Sequence, residues 1–87
     1  MIEGKTASGF EYKITEDALD DYDLLEALTD IDSGNYQKIT VVVDHLLGKE
    51  QKEMLKKHIR ENGRVSAKAM ISEIFEILKG SQTGKNS

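Results

Sequence analysis

The chain has no cysteine, which excludes disulfide bridges and metal sites built on thiolates. A reducing compartment is compatible with that absence. No apolar run approaches the roughly 20 residues that cross a bilayer, and the first residues, MIEGKTASGFEYK, lack the basic start and apolar stretch of a secretory signal. The sequence therefore predicts a cytoplasmic protein with no membrane partner. Only two histidines are present, His45 and His58. They do not form HExxH or any other zinc-ligand spacing. Neither GxxxxGK[ST] nor GxGxxG occurs, so no nucleotide-binding signature is present. Asp30-Ile31-Asp32-Ser33-Gly34 opens like a calcium loop, but the glycine falls one position early and Val41 stands where the bidentate Glu belongs. Acids are abundant but spread along helix sides, with no cleft to separate a pair of carboxyl pKa values. The expectation is a protein without cofactor, metal or catalytic residue, and not an enzyme.

What is present is one domain's worth of chain. A domain of 87 residues buries roughly 60% of its unfolded surface, and its stability should be on the order of 4–13 kcal/mol. A large internal pocket would remove core that it cannot spare. Apolar residues make up 38% and charged residues 32%, but the apolar residues cluster and so predict folding. The net charge of −4 hides a split: residues 1–34 hold 10 acids and 2 bases, residues 35–87 hold 6 acids and 10 bases. The two halves either fold against each other with complementary fields, face solvent, or meet head to tail between copies.

Residues 1–8 read as a flexible N-terminus. Phe10, Tyr12 and Ile14 alternate with Glu11 and Lys13, which predicts one short strand. That strand must pair with another chain or a copy, or lie on the helices. Thr15 opens a first helix, with Glu16, Asp17, Asp20 and Asp21 at its positive end and Ala18, Tyr22, Leu25 and Leu28, with Leu24 and Ile31 beside them, on its apolar face. It ends near Asp30 to Asp32. Asn35 caps a second helix to about Leu47, with Tyr36, Ile39, Val43, Leu46 and Leu47 in one stripe. Its β-branched run Ile39 to Val43 also fits a strand. Gly48 breaks or bends the chain. A third helix covers about Glu50 to Asn62, with Met54, Leu55, His58 and Ile59 inward and Asn62-Gly63 as its left-handed stop. Ser66 caps a fourth helix that Gly80 ends, and Val65 with Met70 has the spacing of a hydrophobic staple. The expected fold is all-α: a small bundle of about four short helices with a minor N-terminal strand. Its single helical domain spans residues 9–79, and residues 80–87 form a disordered tail.

DNA binding is the strongest rival function. HIRENGRVSAKAMI has the rhythm of a helix-turn-helix. The exposed face expected for the last helix, however, offers Lys68, Ser72, Glu73, Glu76 and Lys79, and acids there repel phosphate. A small DNA-binding regulator is thus the alternative, and no nucleic-acid partner is expected.

Five runs carry a family resemblance: Asp23-Leu24-Leu25-Glu26-Ala27-Leu28, Leu47-Gly48 with Glu50-Gln51, Asn62-Gly63-Arg64-Val65, Glu73-Ile74-Phe75-Glu76, and Lys85-Asn86-Ser87. Over about residues 9–87 the chain resembles the tail assembly chaperones of long-tailed phages and prophages of Gram-positive bacteria. The resemblance implies a small helical protein that coats the tape measure protein and helps recruit tail tube protein. It implies a homo-oligomer acting in the host cytoplasm and absent from the finished virion. It also implies a frameshifted longer form, and Gly84-Lys85-Asn86 can be encoded by the slippery GGA AAA AAC. Partner binding is expected on the last helix, through Met70, Ile71, Ile74, Phe75, Ile77 and Leu78. The same stripe also fits the most buried helix of the core. If Phe75 is core, Phe75→Ala should cost roughly 3–5 kcal/mol.

Overall fold

The strand expected at Phe10 to Ile14 finds its partner within the chain. The computed structural model describes residues 1–83. In it, β1 (Ile2–Lys5) and β2 (Glu11–Ile14) form an antiparallel hairpin. Ile2 lies opposite Ile14, Glu3 opposite Lys13, Gly4 opposite Tyr12 and Lys5 opposite Glu11. The expectation of a flexible N-terminus over residues 1–8 is corrected. Cross-strand pairs of opposite charge favour this register, and every second residue of β2 is buried. The loop is closed by Thr6, whose carbonyl accepts from Gly9 N–H, whose N–H donates to Phe10 O, and whose hydroxyl accepts from Phe10 N–H. Gly9 supplies the left-handed φ of +99° that this closure requires.

Thr15 caps the next element as expected, accepting from Ala18 N–H. That element, α1 (Glu16–Leu19), is only four residues long, and the single first helix becomes two. Asp21 is extended, and its Oδ1 accepts from Asp23 and Leu24 N–H, opening α2 (Tyr22–Asp32). An aspartate that captures nearby amides competes with the preceding helix for them. Asn35 does not cap the following helix. Its side chain makes no capping bond, and its Oδ1 is buried with no hydrogen-bond partner among the described residues. A short 3-10 turn, Tyr36–Lys38, leads instead into α3 (Ile39–Ile59). The β-branched run thus lies in helix. Gly48, at φ 77° and ψ 174°, kinks α3 into two arms, the bend expected there. The second arm stops at Ile59, short of Asn62. Asn62 and Gly63, both with positive φ, form the turn after it.

Ser66 accepts from Ala69 N–H at the start of α4 (Ala67–Thr83). The helix runs through Gly80, so the expectation that it ends there, with a disordered tail over 80–87, is corrected for residues 80–83; residues 84–87 lie outside the described residues. Steric fit explains the glycine. A Cβ at Gly80 would lie 2.7 Å from the Tyr12 hydroxyl, and one at Gly4 would overlap the same hydroxyl. Tyr12 is therefore held between two glycines, one per element.

The core is one cluster. Phe10, Tyr12 and Ile14 meet Leu24, Ala27 and Ile31 of α2, Val42, Leu46 and Leu55 of α3, and Met70, Ile74 and Ile77 of α4. The protein is mostly helical with a small two-stranded sheet.

Candidate functional site

Helices α2 and α4 carry inward stripes and also leave apolar residues outside. On α2, Leu24, Ala27 and Ile31 point inward at spacings of three and four, as a 3.6-residue repeat requires. Tyr22 and Leu25, one turn apart on another face, are 74% and 53% exposed. On α4, Met70, Ile74, Ile77 and Leu78 are buried, Ile71 is half-buried, and Phe75 is 42% exposed. Of the six residues expected to bind partners, four therefore belong to the core. Phe75, with the edge of Ile71, is what α4 offers outside.

Phe75 does not stand alone. An open groove of about 630 Å³ runs between α2 and α4, lined by Leu25, Leu28, Thr29, Asp32, Phe75, Leu78 and Lys79. Leu28 and Leu78 are its more buried members, Leu25 and Phe75 its more exposed walls. One acid and one base, Asp32 and Lys79, lie among apolar side chains. Such a groove suits an amphipathic helix laid lengthwise. The α2 side was missed in the sequence because Tyr22 and Leu25 fit the 3–4 spacing of a core stripe. The face that α2 buries is that of Leu24, Ala27 and Ile31, which leaves Tyr22 and Leu25 outside.

Other inward assignments also move. Met54 is 53% exposed and His58 is exposed. The His58 ring stacks obliquely on Phe10, with centroids 5.7 Å apart. Glu73, expected on the solvent face, is only 7% exposed. Its Oε1 accepts from the Thr6 hydroxyl at 2.8 Å and its Oε2 from the Ser8 hydroxyl at 2.9 Å. Glu76 accepts from Ala7 N–H at 2.8 Å. A serine, a histidine and a carboxylate thus meet, since His58 Nε2 lies 3.0 Å from Ser8 Oγ. A proton count decides what they can do. The single Ser8 proton goes to Glu73, so the imidazole donates to Ser8 Oγ. A nucleophilic triad needs the reverse, an imidazole accepting from the hydroxyl while the acid holds its far nitrogen. This arrangement ties the hairpin loop to α3 and α4.

Asp21, Asp23 and His45 form the one group among the described residues with three ligand atoms close enough for a metal. Both Asp21 oxygens are already engaged: Oδ1 caps α2, and Oδ2 accepts from His45 Nδ1 at 2.8 Å. That hydrogen bond to Asp21 raises the His45 pKa above the ordinary imidazole value, and it lowers Asp21 below the ordinary carboxyl value. Asp44 likewise raises Lys52 through a 2.9 Å ion pair. A larger depression, about 1080 Å³, lies between the hairpin and α3 near Gly48. Its charged walls, Glu3, Lys5, Glu11, Lys13 and Glu50, alternate in sign and select no ligand charge.

Among the described residues, no helix is long and apolar enough to cross a membrane. Compared with family models, curated proteins and solved structures, the chain matches none.

Proposed function

We propose that this protein is a tail assembly chaperone of a long-tailed phage or prophage. On this reading its helices form a small bundle working in the host cytoplasm. It holds the tape measure protein, helps recruit tail tube protein, and acts by binding and not by catalysis. The observation that carries the reading is the groove between α2 and α4. Two of the runs behind the resemblance supply its walls: Asp23 to Leu28 contributes Leu25 and Leu28, and Glu73 to Glu76 contributes Phe75. Two others sit at the Gly48 kink and at the Asn62-Gly63 turn. A long helical client offers repeated apolar stripes, and many weak grooves along it gain strength by repetition.

The test is co-expression with a tape measure protein. The wild type should keep the client soluble and co-purify with it. Leu25→Glu and Phe75→Glu should fold, by circular dichroism, and release it. Phe75→Ala should weaken capture by on the order of 2 kcal/mol, as a central aromatic anchor does. Because Phe75 is part-exposed, the same change should cost folding only about 1–2 kcal/mol, below the figure for a core phenylalanine. Equal capture by wild type and both charged variants would sink the reading. Salt-dependent binding to duplex DNA would favour the regulator instead.

A further inference from the structure

The outer edge of the hairpin has a self-complementary charge pattern. Gln51 of α3 grips β2 on the side away from β1: its Oε1 accepts from Lys13 N–H at 2.8 Å, and its Nε2 donates to Lys13 O at 2.6 Å. The Lys13 backbone therefore points away from β1, and Lys13 with Glu3 is a non-hydrogen-bonded pair of the ladder. In an antiparallel ladder the partner's groups at such a pair also point outward, and the pattern repeats every second residue. Glu3 and Lys5 of β1 thus direct their N–H and C=O groups outward. No partner for these groups is found among the described residues.

We infer that β1 is the contact edge for a second copy of this chain, pairing antiparallel about Gly4. Three antiparallel registers match outward groups to outward groups. One sets Glu3 against Glu3 and one sets Lys5 against Lys5, and like charges directly opposite are unfavourable. The third sets Glu3 of each chain against Lys5 of the other. It makes four backbone hydrogen bonds and two opposite-charge pairs, and it places glycine against glycine at the centre. Parallel pairing again brings like charges together. An edge carrying charge of one sign would repel copies; this edge, with one of each sign, admits a single register. The product is a four-stranded sheet shared by two molecules. The edge residues Glu3, Gly4 and Lys5 are not among those lining the groove between α2 and α4, and the inference does not depend on the phage reading.

Sedimentation across micromolar to millimolar concentrations tests this. The wild type should dimerise, and its Glu3 and Lys5 amides should exchange more slowly as concentration rises. Glu3→Lys and Lys5→Glu should each be monomeric. Mixing the two should restore a dimer, because every facing pair is then opposite in sign, whereas the like-charge pair each variant has within its own hairpin persists. A wild type that stays monomeric, with concentration-independent exchange at both amides, overturns the inference. So does association that survives both reversals but is lost in Phe75→Glu, which would assign self-contact to the groove.

Discussion

Replacing Gly80 by alanine should reverse its usual effect on a helix. Within a helix, alanine is favoured over glycine by about 0.8–1.0 kcal/mol. Here the added Cβ would lie 2.7 Å from the Tyr12 hydroxyl, closer than packed atoms allow. The ring cannot swing aside, because Tyr12 is buried and Gly4 flanks the same hydroxyl. Overpacking of this kind costs roughly 1–3 kcal/mol. Gly80→Ala should therefore be neutral to destabilising by about 2 kcal/mol. In a Tyr12→Phe background the nearest ring carbon is 4.0 Å away, an ordinary contact, and the same alanine should stabilise by up to about 1 kcal/mol. Urea unfolding of the four proteins closes a double-mutant cycle that cancels whatever else the hydroxyl contributes. A coupling of about 1–3 kcal/mol is expected. An alanine equally stabilising in both backgrounds would refute the argument.

Glu73→Ala should cost about 1–3 kcal/mol by leaving the buried Thr6 hydroxyl without its acceptor; loss of Thr6 and Ala7 amide protection should accompany it. Gly48→Ala should cost about 1–3 kcal/mol, since φ 77° with ψ 174° is backbone for glycine alone. Calorimetry on the full chain would read this, and an unchanged Tm would contradict it. The His45–Asp21 pair makes stability depend on pH with a definite sign. His45 is raised on folding, so its contribution is full below its ordinary value of 6.5 and is lost as pH rises through the folded value. Asp21 is lowered, so its contribution is present above 3.8 and is lost as pH falls through the folded value. The difference between wild type and His45→Gln should be greatest between those two pH values and shrink on the alkaline side. A pH-independent difference would remove the pair from the account.

Much of the helical pattern was legible because the chain is punctuated locally. Thr15, Ser66 and Gly48 act where the sequence placed them, and Asn62-Gly63 takes the expected left-handed backbone although the helix has already ended at Ile59. Each is a backbone effect of one or two residues. The failures share another origin. Strand β1 has glycine at its centre and charges beside it, and it becomes a strand only through partners six to twelve positions away. Asp21 splits one helix by taking amides that a continuous helix would use, and the face of α2 that is buried is that of Leu24, Ala27 and Ile31, not that of Tyr22 and Leu25. Glu73 reads as a surface residue until the hairpin loop brings two hydroxyls to it. Gly80 reads as a stop until Tyr12 is placed above it. The α4 half of the groove was within the expected stripe, but periodicity could not separate Phe75 from its buried neighbours. That separation depends on which other helices cover α4.

The bonds from Thr6, Ala7 and Ser8 to Glu73 and Glu76 span 65 to 69 positions of chain. A ribosome makes the hairpin loop before its acceptors, which follow 65 to 69 positions later. At roughly 5–20 residues per second, the loop waits several seconds for the carboxylates that fasten it. During that interval Phe10, Tyr12 and Ile14 have no α4 to lie against, so a nascent chain shows apolar surface that the finished protein hides. Fastening of the hairpin loop thereby waits on the synthesis of α4.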